Sequence, residues 1–257
     1  MWTKGKQFCL QSIFLSMISI CCILPLFFLI QHAFLPNGTF SLWQFEQILL
    51  YDRRFYVWFW NSVGYTAAIL FGNIPISFLA AYGFSQFHFP GRKVLFSLYI
   101  LLMLLPFQAT VVPQYLTLQA LNLVDTRWAV ILPGIFSVFG VFLLTEFMQG
   151  IDSEILQAAQ LDGAGWTGIL WYIFLPVCKP AIVSLALLQL LSSWSMIDQP
   201  LLFLRSEQIL PLSLELSSQI FGESAFAAGI IFAFLPVTAY LFCGDALEQG
   251  ICLGSVK

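Results

Sequence analysis

The sequence predicts an all-α integral membrane protein. Its 257 residues are 60% hydrophobic and 9% charged, whereas soluble domains average about 25% charged residues. Six continuously apolar segments each approach the roughly 20 residues that a helix needs to cross a bilayer, and a membrane β-barrel would instead show short alternating strands. One polytopic domain over residues 1–257 follows. The six predicted spans are about 10–31, 60–83, 94–116, 127–148, 179–201 and 225–244.

The first span follows Lys4 and Lys6. It is longer than the apolar region of a secretory signal, about 7–15 residues, and no small-residue cleavage site follows it. We therefore interpret it as a retained helix. The next segment, 32–59, carries aromatic and aliphatic residues from Trp43 to Phe55 at roughly helical spacing, which predicts a short helix at the membrane surface.

Proline residues interrupt several later spans. Each removes a backbone hydrogen-bond donor and bends its helix. Such bends open cavities or simply pack, and proline is more frequent in membrane helices than in soluble ones. The prolines therefore allow a transport pathway without requiring one. They are Pro75, Pro106, Pro113, Pro133, Pro200 and Pro236.

Positive charges near the span ends give a weak orientation. Cytoplasmic loops of membrane proteins are enriched in Lys and Arg, and here one side carries six of these residues and the other four. The more basic side predicts that both termini, the turn 84–93 and the loop 149–178 are cytoplasmic. The basic residues are Lys4, Lys6, Arg92, Lys93, Lys179 and Lys257 on that side and Arg53, Arg54, Arg127 and Arg205 on the other.

The segment 150–178 has the composition of a soluble loop with two short helices. Asp152 or Ser153 can cap the first helix, and Gly163 with Gly165 ends it. The second helix ends at a proline, where the chain turns back into the bilayer. We therefore expect two helices lying across the cytoplasmic face.

The first of these helices presents small residues. We place Ala158 and Ala159 on one surface, where the backbone of a partner can approach closely. For the alanines alone, an ordinary alanine-rich helix is the favoured explanation. The spacing favours a docking site, because the pattern Ala-Ala-x3-Gly-x9-Ile-x-Leu-Pro ends at Pro176 with all six positions matched, an agreement expected by chance in roughly one such chain in ten thousand.

With this spacing, the stretch from Ile151 to Pro180 resembles the coupling loop, or EAA loop, of the inner-membrane permease subunits of ATP-binding-cassette importers. Further stretches resemble the carbohydrate branch of these permeases, the maltose-type second subunit. The resemblance covers nearly the whole chain and implies the type I importer permease fold, with a transmembrane core over about 57–247. The further stretches are 107–113, 128–134, 139–144 and 250–257.

The resemblance also implies a coupling helix that docks into a cleft on a separate ATPase subunit and transmits its closure to the spans. Gln157 stands where the family's motif begins with glutamate, so Glu154, one turn earlier, is our candidate for that carboxylate. Ser195 stands where the family often has asparagine. The candidate coupling residues are Glu154, Gln157, Ala158, Ala159, Asp162 and Gly163.

The implied function is that of a non-catalytic permease subunit of an ATP-driven sugar importer in a bacterial or archaeal plasma membrane. Its implied partners are a second permease subunit, with a heterodimer favoured over a homodimer, two ATPase subunits, an extracytoplasmic solute-binding protein and membrane lipid. The chain itself is expected to bind no cofactor, because ATP is used by the ATPase subunits.

Polar side chains within the spans mark a candidate pathway, because they are costly in a bilayer. For each Ser, Thr or Gln, interhelical hydrogen bonding is favoured over contact with a substrate. Trp194 offers a sugar a flat aromatic surface but is also a common packing residue, and Asp198 either lines a cavity or lies near the outer end of its span. The candidates are Gln108, Thr110, Gln189, Ser192, Ser193, Trp194 and Asp198.

Several other classes lack their motifs in this sequence. There is no GxxxxGK[ST] phosphate loop, no HExxH, no CxxC pair among six cysteines, and only two histidines, so we expect no ATP hydrolysis, metal site or covalent catalysis. Scattered positive charges and a net charge of −3 do not indicate a nucleic-acid partner. Two alternatives stay open: an ion-coupled secondary transporter for a small polar solute, using Asp198 or Glu146, and an importer permease for a solute other than a sugar.

Overall fold

The computed structural model describes residues 2–255 except 37 and 219, with side chains described from 14 to 244 apart from the same two positions. The described residues form helices and contain no strand. The helices are α1 (Trp2–Phe34), α2 (Trp43–Glu46), α3 (Arg53–Gln86), α4 (Arg92–Met103), α5 (Phe107–Ala120), α6 (Trp128–Ile135), α7 (Val138–Gln149), α8 (Ser153–Leu161), α9 (Trp166–Ile169), α10 (Leu175–Val177), α11 (Lys179–Trp194), α12 (Asp198–Phe203), α13 (Leu212–Ser217) and α14 (Ala225–Ser255).

Within the described ranges, four helical segments are long and apolar enough to cross a membrane, and two bent helix pairs bring the number to six if each pair forms one span. The predicted six-span, all-α class agrees with this arrangement. The predicted orientation stays a prediction, and it used Lys4, Lys6 and Lys257, whose side chains lie outside the described residues. The four segments are Phe14–Phe34, Arg53–Gln86, Trp128–Gln149 and Gly222–Gly244.

Three of the predicted spans are interrupted, and the second bent pair, Trp166–Val177 with Lys179–Trp194, has its 68° bend at the start of the span predicted at 179–201. The span predicted at 94–116 is instead the pair α4 and α5, bent by 103°, because Pro106 has no N–H to continue the helix and holds the preceding residue away from helical geometry. The span predicted at 179–201 ends as a helix at Trp194 and resumes as α12. Within the span predicted at 127–148, Phe136 and Ser137 separate α6 from α7.

Helix α3 is the central element, because it packs against α6, α7 and α11. Asp52 caps it by accepting a hydrogen bond from the backbone N–H of Arg54 at 2.9 Å, so the helix begins before residue 60, the predicted start of this span. Close approaches to α6 and α7 occur at glycines. A Cβ on Gly140 would lie 2.5 Å from Ser77 Oγ, and one on Gly72 would lie 2.6 Å from Ile135. Small residues at such crossings are typical of membrane helix packing.

The N-terminal end of α3 holds the extended and 3₁₀ segment 207–212. Four side chains one or two turns apart on one helix face bind its backbone. Trp58 Nε1 donates to Glu207 O at 3.1 Å, Asn61 Nδ2 donates to Gln208 O at 2.9 Å and Leu210 O at 3.0 Å, Tyr65 OH donates to Ile209 O at 2.6 Å, and Ser62 Oγ accepts from Leu212 N at 2.8 Å. Side chains of α3 thus hydrogen-bond the backbone of the segment directly, and these bonds hold the segment against the helix.

Helix α1 lies at the periphery, in contact with α14 and α2. The described side chains along its apolar window are exposed within this chain. In a bilayer such a surface faces lipid or another subunit. The predicted surface helix over 32–59 appears as α2 followed by a π-helical turn, Gln47–Tyr51.

Candidate functional site

The loop between α7 and α11 folds as two short helical stretches, as the sequence predicts. Asp152 is the N-cap of α8, and its Oδ1 accepts a hydrogen bond from Glu154 N at 3.0 Å. Gly163, with φ of +83°, ends the helix in a left-handed conformation that favours glycine. The backbone bonds Gly163 N to Gln160 O and Ala164 N to Ala159 O form the Schellman motif that commonly closes a helix.

The two faces of α8 have different environments. Leu156 and Ala159 pack against a buried cluster that includes Phe174 and Leu144, while Ala158 is exposed. The expectation that Ala158 and Ala159 share one surface is therefore wrong, because successive residues on an α-helix point about 100° apart. The exposed candidates are Glu154, Gln157, Ala158, Asp162 and Gly163, and Leu161 joins them with 89% of its surface exposed.

The second stretch ties the loop to α3. It continues from α9 through a π-helical turn, Leu170–Phe174, into α10. Tyr82 OH donates to Trp166 O at 2.9 Å, and the ring of Phe87 lies 5.1 Å from that of Trp166. Ile169 and Phe174 are buried beneath it. The loop is therefore held at the end of α3 rather than tethered only by the chain.

A polar cavity of about 520 Å³ lies where three predicted spans are interrupted. Residues from the break before α5, the break between α6 and α7, and the break between α11 and α12 line it. In membrane proteins, irregular backbone is found where it is buried or faces a water-filled space. The lining residues are Ile69, Phe107, Pro133, Gly134, Ser137, Gln189, Ser192, Ser193, Ser195, Met196, Ile197, Asp198 and Gln199.

The polar side chains around this cavity differ in whether they are already hydrogen-bonded. Ser193 Oγ donates to Gln189 O at 2.7 Å and Ser195 Oγ donates to Leu191 O at 2.6 Å, each within the same turn of chain. Among the described residues, none hydrogen-bonds the side chains of Gln189, Ser192 or Asp198. These three side chains are therefore available to a solute.

Four of the seven predicted pathway residues meet at the cavity: Gln189, Ser192, Ser193 and Asp198. Gln108 and Thr110 lie on α5 outside its lining, and Thr110 Oγ1 donates to Phe107 O at 3.0 Å. Trp194 is 1% exposed.

Trp194 packs away from the other candidates. Its Nε1 donates to Phe232 O at 3.0 Å, and its ring stacks on that of Phe232 with centroids 5.1 Å apart. The packing interpretation of Trp194 thus matches its surroundings. Sequence reasoning did not select Phe107 or Ser137 as pathway residues; the nearby Pro106 and Pro133 are the signal that could have found them.

Asp125 links the connection between α5 and α6 to the connection that follows α12. Its Oδ1 accepts from Arg205 N and Ser206 N, both at 2.8 Å, and its Oδ2 accepts from Ser206 Oγ at 2.6 Å. These hydrogen bonds, the Ser206 hydroxyl first, hold the pKa of the Asp125 carboxyl below its usual range. Arg205 Nη2 lies 3.4 Å from Tyr115 OH, so this cation is placed beside α5.

The described residues hold no group of three or more His, Cys, Asp or Glu side chains suited to a metal ion. The arrangement combines a docking-type helix on one side of the spans with a polar cavity among them.

Sequence comparison assigns the family. The family model of binding-protein-dependent transport system inner membrane components matches residues 73–251, more than half of the chain. The chain belongs to this family. The permease is 29% identical to the arabinooligosaccharides transport system permease protein AraQ of Halalkalibacterium halodurans, over 96% of each chain. It is 30% identical to the polygalacturonan/rhamnogalacturonan transport system permease protein YtcP of Bacillus subtilis, over 95% of this chain and 96% of that one.

Structural comparison agrees on the fold. One chain in the crystal structure of a bacterial ABC transporter involved in the import of the acidic polysaccharide alginate matches the permease with a TM-score of 0.82. The match covers 95% of this chain and 96% of that chain at 21% sequence identity. The permease therefore has the type I ABC importer permease fold and is a multi-pass membrane protein.

Proposed function

We propose that this permease is the non-catalytic membrane-spanning subunit of an ATP-driven saccharide importer in a bacterial plasma membrane. It forms half of the translocation pathway with a second, non-identical permease subunit. Two separate ATPase subunits drive it through the loop 151–176, and an extracytoplasmic solute-binding protein delivers the saccharide. The chain binds no ATP, since its sequence contains no phosphate-binding GxxxxGK[ST] loop.

The observation that carries this proposal is the construction of the loop. Helix α8 is capped at both ends, packs Leu156 and Ala159 on the buried cluster and exposes its other face, while the following helix α9 is hydrogen-bonded to α3 through Tyr82. An element that is rigid, exposed and firmly attached suits force transmission from a partner, because a flexible loop would absorb the displacement.

The related proteins support the proposal that the solute is a saccharide and that a solute-binding protein delivers it. Both relatives compared above are named as saccharide transport permeases. A second structural neighbour, with a TM-score of 0.71 and 19% identity, is the alginate transporter in complex with a periplasmic protein that carries an alginate pentasaccharide. The polar cavity, with its unbonded Gln189, Ser192 and Asp198 side chains, offers this permease a place for a hydroxyl-rich solute.

The test compares two glycines of the loop in the assembled transporter. Gly163 has a φ of +83°, and Gly165 has an extended backbone with φ −75° and ψ 170°; a Cβ on either would meet no atom within 4 Å. Gly163→Val forces a β-branched residue into the left-handed region and distorts the end of α8, whereas Gly165→Val fits its backbone.

We expect the Gly163→Val protein to insert normally but to retain less ATPase on co-purification, and to lose at least tenfold in ATP-driven uptake in proteoliposomes. The Gly165→Val control keeps most of both. Normal ATP-driven uptake by Gly163→Val would overturn the coupling role. Uptake by the permease alone, driven by an ion gradient without any ATPase, would instead support a secondary transporter.

A further inference from the structure

We infer that Asp198 makes the cavity selective for uncharged, hydroxyl-rich saccharides and against saccharides that carry carboxylates. The inference rests on the proposed function and names its substrate class. It concerns charge, which the relatives leave open: arabino-oligosaccharides are neutral, whereas polygalacturonan carries a carboxylate on each galacturonate unit.

The cavity lining contains a negative charge but no positive one among the described residues. Of the described residues that line it, Asp198 alone carries a charge. Arg205, further along the chain, lies beside Tyr115 and does not line the cavity. No described Lys or Arg forms an ion pair with Asp198, so among the described side chains none balances its negative charge.

Hydrogen-bonding capacity points to the same class of solute. A carboxylate has two oxygens that only accept hydrogen bonds, and sugar hydroxyls are donors. Gln189 and Ser192, whose side chains are also unbonded among the described residues, can both donate and accept. A neutral saccharide satisfies all three groups, because each of its hydroxyls can serve as donor or acceptor.

An acidic saccharide meets the opposite situation. Its carboxylates would lie beside Asp198 with no described cation in the lining to balance them. Like charges repel more strongly in a membrane-embedded cavity than in water, because the local dielectric is lower. We therefore infer that this permease, although it shares its fold with a subunit of an alginate importer, prefers an uncharged solute.

The experiment uses the complete transporter with its own solute-binding protein in proteoliposomes. Initial rates of ATP-driven uptake are measured for neutral oligosaccharides of arabinose and galactose and for trigalacturonate beside its uncharged methyl ester. The last two share one sugar skeleton, so the ratio of their rates reports on charge. Because every variant uses the same binding protein, a change in this ratio comes from the permease.

We expect the wild type to prefer the uncharged member of the pair by about tenfold or more. Asp198→Asn should lower that ratio toward one, and Asp198→Lys should lower it further. Glu146→Gln, which removes an exposed carboxylate of α7 that does not line the cavity, should leave the ratio unchanged.

An equal ratio in the wild type and both Asp198 variants would overturn the inference while leaving the importer function intact. Wild-type uptake of trigalacturonate at the rate of its ester would do the same. If no saccharide in the panel shows ATP-driven uptake, the proposed function and the inference fail together.

Discussion

The close packing of α3 against α7 predicts that adding a side chain at Gly140 lowers the stability of the fold. A Cβ added there would lie 2.5 Å from Ser77 Oγ, 3.1 Å from Ser77 Cβ and 3.1 Å from Asn73 Oδ1. Both neighbours are fully buried. Rotation of the serine hydroxyl relieves the shortest contact but not the one to its Cβ, so α3 and α7 must separate by a few tenths of an ångström.

The magnitude follows from two opposing terms. Overpacking of a buried contact costs about 1–3 kcal/mol, and replacing a helical glycine by alanine gains about 0.5–1 kcal/mol. We expect Gly140→Ala to be destabilising by about 1–2 kcal/mol, which lowers the melting temperature of a chain of this size by about 2–8 °C.

Gly83→Ala is the matched control. It lies on α3, and its added Cβ would meet no atom within 4 Å, so the helix-propensity gain remains and the melting temperature rises slightly or stays unchanged. Ser77→Ala removes a buried hydroxyl that has no hydrogen-bond partner among the described residues. Combined with Gly140→Ala, it should recover part of the lost stability.

The assay heats detergent-solubilised transporter carrying a fluorescent fusion on the permease and follows the monodisperse peak by size-exclusion chromatography. Equal melting shifts for Gly140→Ala and Gly83→Ala would refute the close-packing argument. A Ser77→Ala background that gives no recovery would refute the assignment of the clash to the serine hydroxyl.

Two further predictions concern the segment 207–212 and Asp125. Asn61→Leu removes the donor to the carbonyls of Gln208 and Leu210. At about 0.5–1.5 kcal/mol for each hydrogen bond lost, we expect a lower melting temperature and increased proteolysis near 207–212, and unchanged proteolysis would contradict it. The lowered pKa of Asp125 means that its ionised form stabilises the fold above the unfolded pKa and that this contribution is lost as pH falls through the folded pKa. The melting difference between wild type and Asp125→Asn should therefore be constant above about pH 5 and shrink below about pH 4, and a difference that grows on acidification would be inconsistent with the hydrogen bonds described.

Local signals in the sequence predicted the loop well. Asp152 and Gly163 act through their own backbone neighbours, so cap and stop residues reveal them without tertiary information. The faces of α8 were harder, because Ala158 and Ala159 are adjacent in sequence yet have different surroundings in the fold. Only the 100° step of the helix separates them.

The cavity depended on information that hydropathy does not hold. Apolar composition predicts where a chain can cross a bilayer, but it does not locate the helix breaks at Pro106 and between Trp194 and Asp198. The prolines were visible as points of bending, whereas a 103° turn depends on how α4 and α5 pack. For the same reason Trp194 and Asp198 were grouped by sequence although the end of α11 directs them to different environments.

The continuous helix α3 gives the permease unequal lever arms. Pro75 lies within α3 without ending it, so the helix can tilt as one rod about this point. At 1.5 Å per residue, the arm from Pro75 to Arg53 is about 33 Å long and the arm to Gln86 about 16 Å. A rigid tilt of about 5° about Pro75 would move the Gln86 end by about 1.5 Å and the Arg53 end by about 3 Å. A small displacement of the loop bound by Tyr82 would thus produce a displacement about twice as large at the segment bound by Trp58 and Asn61.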